Sequence, residues 1–115
     1  MSETMSFIYE IDDEPIGVVN VEAESCDEAI ELVRKDFSSC ANFHDFGITE
    51  ISPFDDSTIT WNVYFRVDGN VARYDGVWMV DANDEREASQ MAMERFKEVF
   101  GRCSMGEYSL ELSNL

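Results

Sequence analysis

The side chains that this 115-residue chain supplies in quantity for chemistry are carboxylates, 25 aspartates and glutamates. Paired carboxylates can carry general acid–base or glycosidic chemistry, but only where a dry pocket raises one pKa. With so many acids, close pairs arise by chance, and no segment marks such a pocket. Oxygen ligands suited to calcium stand together in Asp12-Asp13-Glu14 and in Asp81-Ala82-Asn83-Asp84-Glu85. Neither run has the loop length, the mid-loop glycine or the terminal bidentate glutamate of an EF-hand. The second reads more simply as a strand end followed by a helix cap. His44, in an expected loop before a strand, is the single histidine, without a cysteine or second histidine near it. That is a poor basis for a metal site. Ser38, Ser39 and Ser57 belong to no nucleophile elbow. Gly101-Arg102-Cys103 follows a helix, where a phosphate-binding loop would precede one. The residue types predict no catalytic centre, no enzyme activity, no cofactor and no dedicated metal site. What remains for the acids is charge.

Only eight lysines and arginines oppose them, for a net charge of −17. The acids are not collected in a tail; they are interleaved with apolar residues at helix and strand spacing, which places the charge on a folded surface. A compact body so charged repels itself, nucleic acid and anionic lipid, and attracts basic surfaces. Direct nucleic-acid binding is excluded on this ground, because protein cations drive it. With 44% hydrophobic and 12% aromatic residues there is material for a packed interior, which argues against disorder. Size allows one domain, or two very small halves sharing a core. Cys26, Cys40 and Cys103 make an odd count without a CxxC pair. Together with the absence of a signal-peptide pattern, this predicts a cytoplasmic protein with reduced thiols. No apolar run approaches the roughly 20 residues of a membrane span.

The elements that would position these acids come from an internal repeat. Val19 through Ala29 (VNVEAESCDEA) recurs 59 residues later as Trp78 through Ala88 (WMVDANDEREA). Both copies read as a strand running into a helix, with Ser25/Glu28 and Asp84/Glu87 at capping-box spacing. The first helix is expected to reach about Phe37, with Cys26, Ala29, Val33 and Phe37 on its inner face. The second is expected to reach about Phe100, with Ala88, Ala92, Phe96 and Val99 inward and Gly101 as its stop. A hairpin precedes each helix. Phe7, Tyr9 and Ile11 alternate in the first, and Trp61, Val63, Phe65 and Val67 in the second, which is three residues longer. A short strand follows each helix, around Ile48–Ile51 and Tyr108–Leu112. The expected fold is α+β: tandem β-β-α-β halves, residues 1–53 and 58–115, ferredoxin-like, packed as one compact unit. Two helices lie on one side of an antiparallel sheet, and Pro53–Ser57 connects the halves.

Three uses of the negative surface compete. Solubility needs nothing like −17. Halophilic adaptation fits the two lysines, Lys35 and Lys97, but not the three cysteines, six methionines and eight phenylalanines. Mimicry of a polyanion fits the magnitude, since B-DNA carries one charge per about 1.7 Å of axis.

Residues 21–32, with a hairpin before and a strand after, resemble the β-β-α-β of a small phage inhibitor of bacterial RNA polymerase, one half at a time. The whole chain, by its length, acidity and tandem halves, resembles the acidic phage anti-CRISPR proteins that inhibit the type I-F surveillance (Csy) complex. That resemblance implies docking on the basic DNA-entry surface of the complex and exclusion of target DNA, by a monomer in the host bacterial cytoplasm. The alternatives are an RNA polymerase inhibitor, a non-inhibitory, salt-adapted binding module or, more remotely, a hydrolase with an unrecognised carboxylate pair. The acids expected to face a partner are Glu10, Glu22 and Glu50 in the first half and Asp81 and Glu111 in the second, at outward strand positions. Asp12, Asp13 and Glu14 extend the set at a hairpin tip. The helix-borne acids Asp27, Glu28, Glu31, Glu87, Glu94 and Glu98 form the competing face.

Overall fold

The computed structural model describes residues 3–38, 42–56, 59–103 and 109–114. Ser39, Cys40, Ser57 and Tyr108 lie outside the described residues, as does the side chain of Cys103. The chain runs β1 (Glu3–Ile11), β2 (Glu14–Ala23), α1 (Cys26–Asp36), β3 (His44–Pro53), β4 (Thr60–Asp68), β5 (Ala72–Asp81), α2 (Glu85–Cys103) and β6 (Leu110–Asn114). All six strands form one antiparallel sheet in the order β3-β4-β5-β2-β1-β6. The fold is α+β.

Local chemistry accounts for the elements. Asp12 and Asp13 hold φ of 53° and 66°, the left-handed pair that closes a two-residue hairpin. The Gly69 amide donates to the Ala72 carbonyl at 2.8 Å and closes the second hairpin. Ser25 Oγ accepts from the Glu28 amide at 3.2 Å, and Asp84 Oδ1 from the Glu87 amide at 2.8 Å. Both expected helix caps are present.

The repeat carries through to topology, with a twist in the connectivity. Gly17 pairs with Gly76, the residue 59 positions on, at the middle of the sheet. Opposite them stand Tyr9 and Phe65, so the first strands are offset by 56 and the second hairpin is three residues longer. The third strand of each half does not return to its own half. β3 pairs with β4, and β6 with β1. Neither half is a closed sheet, and where β3 meets β4 the Phe54 amide donates to the Thr60 carbonyl at 2.9 Å.

Both helices pack on one face, over a single core. Phe7, Tyr9, Ile11, Val19, Val21, Val63, Phe65, Tyr74 and Trp78 rise from the sheet to meet Ala29, Val33, Phe37, Ala88, Ala92 and Phe100. Phe37 stacks on Phe100 with ring centres 5.7 Å apart, joining the two helices. Several sequence expectations are corrected. Cys26 is exposed at the first position of α1, one turn before the buried run begins at Ala29. Gly101 does not stop α2, which continues to Cys103 with Phe100 buried and Arg102 bonded to Asp12. Phe96 is half-buried, stacked on Phe46 at 4.4 Å, whereas its counterpart Phe37 is fully buried. Ala29 and Ala88 do occupy equivalent buried positions. His44 begins a strand and bonds Asp45 at 3.0 Å.

Candidate interaction surface

The helices hold eight of the 25 acids but six of the eight bases. α2 is formally neutral, with Glu85, Glu87, Glu94 and Glu98 against Arg86, Arg95, Lys97 and Arg102. Among the described residues sixteen acids lie off the helices, against Arg66 and Arg73. The helix-borne set therefore sits in a layer with a surplus of only two acids, and most of the negative surplus belongs to strands and turns.

Strand alternation determines where that surplus points. Tyr9 and Ile11 are buried, so Glu10 between them faces away from the helices, directly across from Glu111 on β6. Glu22 lies between buried Val21 and Ala23. Glu50 pairs with outward Tyr64, and Asp81 follows buried Val80 and accepts from Thr60 Oγ1 at 2.7 Å. These five expected residues share one solvent face of the sheet. Asp68 and Asp75 join them, but each is matched by an arginine: Arg73–Asp68 at 3.3 Å and Arg66–Asp75 at 2.8 Å. The bond to Asp75 raises the Arg66 pKa further. Glu10, Glu22, Glu50 and Glu111 make no ion pair among the described residues.

The hairpin tip behaves differently. Glu14 accepts from Arg95 of α2 at 2.8 and 2.9 Å. Asp12 bonds Arg102, and its Oδ1 takes the Ser109 amide at 2.9 Å. These two turn toward the helix layer and are spent on holding the hairpin to α2. Asp13 is exposed at the tip.

Rows of cross-strand partners describe the open face. At one end, His44, Asp68, Arg73, Asn20 and Ser6 line up across the sheet, and Ser6 Oγ bonds Asn20 Oδ1. At the other, Glu50, Tyr64 and Val77 form a row beside Ser52, Asn62 and Met79. Tyr64, Val77 and Met79 are exposed, Met79 by 63%.

One consequential residue escaped the sequence reading. Asp36, the last residue of α1, is 1% exposed. Its carboxylate accepts from the amides of Val71 and Ala72, each at 3.1 Å, and from the Tyr74 hydroxyl at 2.9 Å. Burial pushes its pKa up, against the opposing pull of Tyr74 and of the Val71, Asn70 and Ala72 amides. The available signal was an acid at a helix C-terminus, where the dipole disfavours it. Asp36 is structural: it ties α1 to the β4–β5 turn. Among the described residues no group of three His, Cys, Asp or Glu gathers to hold a metal, and no helix is long and apolar enough to cross a membrane. No protein-family model matches this chain, and neither a curated protein nor a solved structure matches it at a significant level.

Proposed function

We propose that this protein is an acidic inhibitor that binds the basic DNA-binding surface of a type I-F CRISPR surveillance complex and excludes target DNA by mimicking its charge. We read its halves as a ferredoxin-like duplication, and it acts as a monomer in the bacterial cytoplasm. The observation that carries this reading is the segregation of charge: among the described residues, sixteen acids against two bases off the helices. The molecule is 47 Å long. Duplex DNA of that length carries about 28 phosphate charges, roughly half of them on any one side. The surplus on strands and turns is of the same order. Lysines and arginines that hold phosphate would meet Glu10, Glu22, Glu50, Asp81 and Glu111 instead, in an association that is fast and salt-sensitive.

The test is competition. A labelled target duplex bound by the purified surveillance complex should be released as the protein is added, and the protein should co-elute with the complex. Replacing Glu10, Glu22, Glu50 and Glu111 by glutamine should slow association and flatten the salt dependence. Absence of co-elution at low salt rejects the reading. Recovery of RNA polymerase from lysate in place of the complex would transfer the same mechanism to transcription.

A further inference from the structure

The pairing of β2 with β5 stops at Gly17 and Gly76. Two residues further along β2 stands Pro15, which has no amide hydrogen to continue a ladder, and the β1–β2 register shifts at the same level. The related position in β5 is Tyr74, which is paired. The two strands therefore separate on one side of the molecular centre only. They leave a cleft of about 410 Å³ whose apolar wall is Pro15, Ile16, Tyr64, Val77, Trp78 and Met79 and whose polar wall is Glu14, Asn62 and Arg95. Glu10, Glu111, Glu50 and Asp81 lie on the same side of the Gly17–Gly76 level. Arg66 and Arg73 lie on the other side, each in an ion pair. The cation that lines the cleft, Arg95, is bonded to Glu14.

We infer that this cleft seats one large apolar side chain of a basic protein segment, whose flanking lysines and arginines meet Glu10, Glu50, Asp81 and Glu111. This rests on the proposed docking of the acidic sheet face and adds where the contact is anchored. Charge complementarity selects the occupant. A second copy of a chain at −17 is repelled, and a purely apolar partner leaves the acids desolvated without counter-charge. A purely basic one leaves the cleft wet. Burial of one such side chain is worth roughly ten- to a hundred-fold in affinity. The acids set the rate and the cleft sets the selectivity.

Two synthetic peptides, KRKRLRKRK and the same peptide with serine at its centre, test this by fluorescence anisotropy and amide chemical-shift mapping. The leucine peptide should bind at least ten-fold more tightly, with shifts centred on residues 62–64 and 77–79. Val77→Thr with Met79→Thr, which keeps strand propensity, should erase the difference and leave the serine peptide unaffected. Thermal melts verify that the variant is folded. Equal affinity of the two peptides overturns the inference, as do shifts centred on the helices or no binding of either. Failure of the surveillance complex to bind, with the peptide preference intact, would reject the proposed function and leave the cleft assignment standing.

Discussion

Asp36 and Arg95 stand 59 residues apart, at the same position in the two repeats, and each reaches from its own helix to the hairpin of the other half. Asp36 does so from inside the core, taking two turn amides and a tyrosine hydroxyl. Arg95 does so at the surface, through Glu14. The topological task is the same: a helix pins the hairpin contributed by its neighbour. Its energetic weight differs, because water competes for the exposed pair and not for the buried carboxylate. The place of the latch is shared and its chemistry differs.

The comparison breaks most visibly at Asp36. Asp36→Ala removes the shared acceptor of three donors and should cost about 3–5 kcal/mol in urea unfolding, enough to lower the population of the native state severely. A loss under about 1 kcal/mol would make the buried latch no stronger than the exposed one. Gly69→Ala comes next. A Cβ there would lie 2.6 Å from Asp36 Cγ, and that carboxylate is held from several sides, so roughly 2 kcal/mol is expected. Combined with Asp36→Ala, the Gly69→Ala penalty should largely vanish, since the clashing group is gone; additive losses would place the strain elsewhere.

The pH dependence of Asp36 has a definite sign. Its folded pKa is raised above 3.8, so between those values the folded state keeps a proton that the unfolded chain has lost. Stability from this group is present below the unfolded value and falls as pH rises through the folded one. Asp36→Asn cannot titrate. The stability difference between wild type and Asp36→Asn should therefore shrink as pH increases from about 4, followed by urea melts across pH. A difference that widens means that the hydrogen bonds outweigh burial.

Arg95→Ala should cost about 0–1 kcal/mol, and less at high salt; a larger loss would promote the surface latch to the rank of the buried one. The smallest effect concerns the sheet edge. Glu10 and Glu111 face each other as like charges, so Glu111→Gln should stabilise the protein by a few tenths of a kcal/mol. A loss instead would mean that the pair shares a proton or an ion.

How far each feature was readable depends on how local its cause is. Helix caps, hairpin turns and the inward sets Phe7-Tyr9-Ile11 and Val63-Phe65-Val67 follow from neighbours in the chain, and the structure has them where the spacing puts them. The outward direction of Glu10, Glu22, Glu50, Asp81 and Glu111 followed from the same period of two. The destinations of Asp12 and Glu14 did not, because a turn residue has no period and its arginine partners come from 80 or more residues away.

The sequence by itself determined the elements, the recurrence of one segment at an offset of 59 and the total charge, since these rest on residue identity and spacing. Only the tertiary structure decided that the third strands cross between the halves. Register alone leaves open which edge a strand joins; shared burial under two helices resolves it. The same packing sank Asp36 into the core, placed six of eight bases in the helix layer and left the acids on the open sheet. It also parted β2 from β5 where Pro15 withholds a hydrogen bond. Each of these outcomes depends on surfaces distant in sequence being buried together, and short-range spacing carries no record of that.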